Sequence, residues 1–341
     1  MARGHRGNPA VGIKVNQLYG LPVLLSGLAA LLLSDQDINL IEKTHCETLR
    51  RLMRLHDKTP HSVIYFLSGS LPGSALLHMR QLTLFGMITR LKNNILHRHA
   101  FNILNFVTIS KSSWFDQIRR WCLMYSLPHP QEILESPLPK YEFKALVKKN
   151  VISCWEVRLR SESLRLKSLV FFKPNFYSLL TPHPLWTTAK SSPPKIAMAT
   201  IQALMLSGRY RTEALIRHWK KSKSDGCCLL SDACRTILED IPHILQHCPA
   251  LSLVRQKLLL YTSNYCSKLT SIEAADLLLE LCKPESTFFC QFLLDPSVLP
   301  PVISFVQLYG PDFLSFCFDI SRTWTYTLHR ERLKLLNRWK I

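Results

Sequence analysis

The sequence predicts a mainly α protein with a small zinc-knuckle-like module embedded in it. Two observations carry this. Apolar residues recur at helical spacing over most of the chain, and the exception is a short window crowded with cysteine and histidine. Of 341 residues, 47% are apolar, 20% charged and only 11 are glycine, a composition that excludes a disordered or collagenous chain. No repeat recurs at periods of about 20 to 50 residues, which excludes a solenoid.

Taken in order, the elements begin with an apolar stretch, Leu18–Leu33, behind Arg3, Arg6 and Lys14. It contains Gly20, Pro22, Ser26 and Gly27 and is shorter than the ~20 residues a bilayer span needs, so it reads as a buried core helix rather than a signal or anchor. Ser34 followed by Asp37 resembles a capping box, and Ile38, Ile41, Leu49, Leu52 and Met53 continue with helical spacing to His56. Arg50, Arg51 and Arg54 fall on the opposite side. A second helix is expected over about Ala75–Lys92. A third, Trp114–Leu127, turns Ile118, Trp121, Cys122 and Tyr125 inward and Arg119–Arg120 outward.

Two proline-rich breaks follow, at Pro128–Pro139 and Pro182–Pro194, and they mark boundaries because proline ends helices. Between them Lys140–Lys167 reads as a helix pair with eight Lys/Arg against three Glu. A helix over about Pro194–Met205 leads into the cysteine-rich window. Beyond Leu251 the pattern is again helical and ends in a basic segment with Arg330, Arg332, Lys334, Arg338 and Lys340. The expected organisation is therefore a helical region over 1–127, a basic helical linker over 128–205, the basic motif and metal module over 206–250, and a helical region over 251–341.

Charge narrows the partners. Lys and Arg number 43 against 24 Asp and Glu, a formal net charge of +19, which attracts polyanions, nucleic acid foremost. Eleven cysteines are too few for a disulfide scaffold of this length, so a reducing, intracellular setting with one metal site is expected, in nucleus or cytoplasm.

That site is Cys228, Cys234, His243 and Cys248, spaced C-x5-C-x8-H-x4-C. Three thiolates and one imidazole form a closed tetrahedral set suited to structural Zn²⁺. The first gap is wider than usual; Cys227 competes with Cys228, and His247 with His243. Just before the module, Arg209-Tyr210-Arg211 and Arg217-His218-Trp219-Lys220-Lys221-Ser222-Lys223 place six cations and two rings against one Glu across 208–223. Cations neutralise phosphates and rings stack on unpaired bases, so this segment is the candidate contact for RNA or single-stranded DNA; the alternative is a solvated helix face whose rings pack inward. The sequence offers no carboxylate cluster to clamp two metal ions, no phosphate-cradling glycine loop and no G-x-S-x-G, and His97 and His99 read as an exposed helix end. Catalysis and a small-molecule substrate are not expected.

Several blocks, in this order, resemble a known family: Tyr19-Gly-Leu-Pro-Val-Leu-Leu, Leu76-Leu-His-Met-Arg-Gln-Leu, Asn94-Ile-Leu-His-Arg-His, Trp114-Phe-Asp-Gln-Ile-Arg, Pro182-His-Pro-Leu-Trp, Leu206-Ser-Gly-Arg-Tyr-Arg-Thr-Glu, Glu239-Asp-Ile-Pro-His243 and His247-Cys-Pro-Ala-Leu251. They are similar to the region after the polymerase core of non-LTR (LINE-type) retrotransposon reverse transcriptases. The resemblance spans about residues 8–260. It implies a thumb-like helical segment, a linker and a zinc-knuckle tail that grips template RNA or target DNA. It also implies Cys228, Cys234, His243 and Cys248 as ligands, with Arg209, Tyr210 and Arg211 as the basic motif beside them. The family's polymerase aspartates have no counterpart in this chain. The alternatives are an inert or domesticated retroelement-derived protein with a structural role, and an accessory part of a polymerase supplied elsewhere.

Overall fold

A computed structural model describes residues 7–91, 95–106, 113–219, 224–267, 269 and 271–338. Among them the protein is helical, with no strand and one isolated antiparallel bridge, Cys227–Leu238. The principal helices are α1 (Asp35–Met53), α2 (His61–Ser68), α3 (Gly73–Thr89), α4 (Ile95–Phe106), α5 (Trp114–Met124), α6 (Lys140–Arg165), α7 (Pro193–Leu206), α8 (Glu213–His218), α9 (Ser252–Cys266), α10 (Ile272–Leu281), α11 (Phe289–Leu294), α12 (Pro300–Tyr309) and α13 (Pro311–Arg338).

Local sequence explains most boundaries. The Ser34 hydroxyl accepts from the Asp37 N–H and the Asp37 carboxylate accepts from the Ser34 N–H, so α1 starts on the expected capping box. Ser113 caps α5, and Ile118, Trp121, Cys122 and Tyr125 are buried as the periodicity requires. Two expectations are corrected. Lys140–Arg165 is one unbroken helix rather than a pair, since it contains neither glycine nor proline to break it. Leu18–Leu33 is not a buried core helix. A π turn over Asn16–Gly20 leads into a single short turn, Leu21–Leu24, and Gly27 at φ 73° ends it. Leu18, Tyr19, Val23, Leu31 and Leu32 are left exposed.

Two hubs organise the packing. In the first half α3 contacts α1, α5 and α6. Its residue 86 must be glycine, because a Cβ there would enter the ring of Phe143 on α6. In the second half α13 contacts α7, α9, α11 and α12 and inserts the fully buried Trp324. The buried apolar side chains form one cluster running from Ile13 to Leu328, so all four segments distinguished in the sequence share a single core. All eleven cysteines are free thiols. Among the described residues no helix is long and apolar enough to cross a membrane.

A buried polar knot joins the halves. His183 Nδ1 accepts from the Leu185 N–H at 3.1 Å, so its proton sits on Nε2, which donates to Asp295 Oδ2 at 3.2 Å. The Tyr177 hydroxyl donates to the same oxygen, and Ser297 donates to Oδ1 from its N–H and its hydroxyl. The His183 backbone N–H in turn donates to the Leu67 carbonyl, at the end of α2. Burial pushes the Asp295 carboxyl upward, but His183, Ser297 and Tyr177 outweigh it and hold the group below the usual carboxylate range.

A lowered folded-state pKa means that Asp295 stabilises the fold above the unfolded carboxylate value of about 3.9, and that this contribution disappears as pH falls through the folded value. The stability of the wild type to urea should therefore fall as pH drops below about 4. Asp295→Asn should lose about 1–3 kcal/mol at pH 7 and flatten that acid dependence. Equal acid slopes for the two proteins would contradict this assignment.

Candidate metal centre

The cysteine-rich window folds into a compact turn-rich module. The bridge Cys227–Leu238 pins its neck: the Cys228 N–H donates to the Ile237 carbonyl at 2.9 Å and the Glu239 N–H to the Gly226 carbonyl at 3.0 Å. Between these, Ser231 caps a 3-10 turn, Asp232–Cys234, that brings Cys234 back toward Cys228. On the far side Asp240 Oδ1 accepts from the His243 N–H at 2.8 Å, and a π turn follows over His243–His247. The Cys248 N–H then closes an i→i+5 bond on the His243 carbonyl at 2.7 Å. That closure is what the x4 spacing of His243 and Cys248 serves.

The outcome is four donor atoms, from Cys228, Cys234, His243 and Cys248, all within 4.8 Å of one another and all on buried residues. Zn–S bonds of about 2.3 Å in a tetrahedron would separate two sulfurs by about 3.8 Å. The Cys228 and Cys248 sulfurs lie 3.9 Å apart. The competing residues are resolved: His247 is exposed, Cys227 is half-buried, and neither belongs to the cluster.

Electrostatics agree with a cation site. Both ring nitrogens of buried His243 lack a hydrogen-bond partner, an expensive state for an imidazole unless a metal takes one of them. Burial also depresses its pKa, favouring the neutral, metal-ligating form. The hydrogen bond between Cys228 and Cys248 holds the Cys248 thiol below its ordinary value and pushes Cys228 up, while burial raises Cys234 to about 11. Arg255, on α9, was not singled out in the sequence. It is buried, donates from Nη2 to the Cys248 carbonyl at 2.7 Å, leaves Nη1 without a partner, and among the described residues has no carboxylate paired with it. A buried guanidinium without a counter-charge is strongly unfavourable. Three thiolates around a divalent ion carry one net negative charge, the counter-charge that Arg255 lacks.

The basic motif beside the module divides into inward and outward residues. Tyr210 is buried: its hydroxyl meets His329 Nδ1 at 2.8 Å and the Arg332 guanidinium lies 5.5 Å over its ring. Trp219 stacks on His56 with centroids 4.9 Å apart, under the ammonium of Lys58. Arg209 is half-buried, whereas Arg211 and Arg217 are exposed, the latter donating to the Asp225 carbonyl. Lys220 and Lys221 lie outside the described residues. Of the C-terminal cations, Arg332 is buried in a two-point ion pair with Glu239, at 3.0 and 2.7 Å, and Glu239 also accepts from the Glu213 N–H. Helical spacing held the signal for this: Trp324, Leu328 and Arg332 fall four apart, on one face.

Cys234→Ser or Cys248→Ser should abolish bound metal, measured by elemental analysis of purified protein, while Cys227→Ser and His247→Ala should retain it. Arg255→Met should weaken metal retention against a competing chelator by about 10–100-fold, the usual effect of losing an outer-shell partner. Unchanged retention in Arg255→Met would contradict the charge-balancing role.

Compared with protein-family models, with curated proteins and with solved structures, the chain finds no match.

Proposed function

We propose that this chain is a zinc-stabilised nucleic-acid-binding protein without its own catalytic centre, and that it corresponds to the C-terminal region of a LINE-type reverse transcriptase. The observation that carries the proposal is the closed, buried Cys3His cluster with exposed arginines on the same short segment. Four donors leave no open coordination position, which suits a structural ion, and the soft sulfur-rich set suits zinc. The order of the sequence blocks supports the family reading.

Because Tyr210 and Trp219 pack against other parts of the chain, the grip on the strand falls to cations. Arg211, Arg217 and the adjoining lysines would meet phosphates, with the net charge of +19 steering the encounter. Binding of this kind is insensitive to base sequence and sensitive to salt.

Purified protein should hold one zinc, and its removal should expose the region 206–250 to proteolysis, since metal binding there is folding energy. Single-stranded RNA binding should weaken with salt, and Arg211→Ala should flatten the log–log slope by about 0.7, the increment of one phosphate contact. Arg332→Ala should instead destabilise the fold by about 3–5 kcal/mol, because it leaves Glu239 buried and unpaired. A slope unaffected by Arg211→Ala and Arg217→Ala together would refute the localised grip. No primer extension is expected with Mg²⁺ or Mn²⁺.

A further inference from the structure

Away from the metal centre, α1, α2, α3, α5 and α6 enclose an open cleft of about 900 Å³, within the range of small-molecule sites. It shares no residue with the cysteine module or the 208–223 segment. Two of its features point to a ligand. First, the cleft carries two exposed arginines held over indole rings: Arg158 lies 4.8 Å from the Trp155 centroid and Arg120 lies 5.7 Å from that of Trp121. Neither pairs with a carboxylate among the described residues. Each therefore has guanidinium N–H groups available for an anion, while its stem and plane are ordered by the ring.

Second, His78, 4% exposed, lines the cleft and is fixed by its neighbours, so the wall a ligand would meet is ordered in advance. The Trp155 indole N–H donates to the Tyr125 hydroxyl oxygen at 3.1 Å, and that hydroxyl stands 2.7 Å from His78 Nδ1. Nε2 has no partner and no exposed surface, so His78 forms part of the rigid wall of the cleft rather than a donor to its contents. Burial drives the His78 pKa down to about 3, so the ring stays neutral. It stacks on Trp121 with centroids 3.7 Å apart, which fixes its plane.

The same cleft offers acceptors. Asp35 and Glu162 line it, as does Glu42, whose two oxygens are engaged by Tyr65 and Ser74. A fitting ligand must combine an anion, N–H donors and a planar apolar face. We propose that this cleft binds a nucleoside 5′-monophosphate bearing an amino-substituted base: the phosphate on Arg120 and Arg158, the exocyclic amine toward Asp35 or Glu162, the base against Trp155, since Trp121 is already covered by His78. The site does not depend on the metal centre, so it stands or falls separately from the function proposed above.

Titration of the full chain with AMP, followed by calorimetry and by fluorescence of Trp121 and Trp155, tests it. AMP should bind with a dissociation constant of about 1 mM or tighter. Adenosine and inorganic phosphate should each bind at least about tenfold more weakly, as should AMP to Arg120→Ala or Arg158→Ala, each of which removes one charge-assisted contact. Both arginines are exposed, so these variants should fold, and Arg51→Ala, on the outer face of α1, should bind AMP like the wild type. Absence of AMP binding, equal affinity for adenosine, equal affinity for phosphate alone, or indifference to both arginine variants would each overturn the proposal. Loss of RNA binding on zinc removal with AMP binding intact would sustain it.

Discussion

The ion pair between Glu239 and Arg332 is the constraint on which the placement of the metal module depends. Both side chains are almost fully buried, and their two-point geometry satisfies the guanidinium fork while a third acceptor bond reaches the first turn of α8. Such a pair contributes little net stability beside an apolar replacement, because desolvation offsets the attraction. Its effect is on specificity of arrangement. Any other seating of the 206–250 module against α13 would strand a charge in the core. Tyr210, roofed by the same guanidinium, and Trp219, stacked on His56, extend that seating to both halves of the chain.

Seen this way, a net charge of +19 is not one undivided surface. Arg255, Arg322 and Arg332 are internal, each with a separate duty. Arg255 faces the Cys248 carbonyl, Arg332 meets Glu239, and Arg322 pairs with Asp319 at 3.2 Å while donating to the Leu185 carbonyl. What remains outside is available for phosphate, and Arg211 and Arg217 belong to that remainder. Under the proposed function the surface charge would steer a polyanion, while the internal guanidinia hold the shape of the fold.

How much of this was legible beforehand follows the range of the interactions. The α1 cap, the inward face of α5 and the clustering of Cys228, Cys234, His243 and Cys248 depend on residues close in sequence, where spacing translates directly into geometry. The failures lie at long range or at breakers. Leu18–Leu33 has a core helix's composition, but Pro22 and Gly27 divide it, so only Leu21 and Leu25 reach the core and the other large apolar side chains stay outside. Tyr210 and Trp219 have the composition of stacking platforms, and only the distant His329, Arg332 and His56 show that their rings are engaged within the protein. Arg255 and the Asp295 knot were unreadable for the same reason: a buried charge declares itself only beside its counter-charge.

The pairing of Glu239 with Arg332 also has a consequence for biogenesis. The two residues are 93 positions apart, and a ribosome makes the chain from its N-terminal end. The four donor residues are all present once Cys248 has emerged, yet the module's acidic anchor, Glu239, must wait, solvated, until α13 is complete. Assembly of the donor set and docking are thus separated in time, and a nascent chain stalled before Arg332 would present a formed but unseated module. A chaperone that shields that face during the interval would be acting on a state absent from the finished protein.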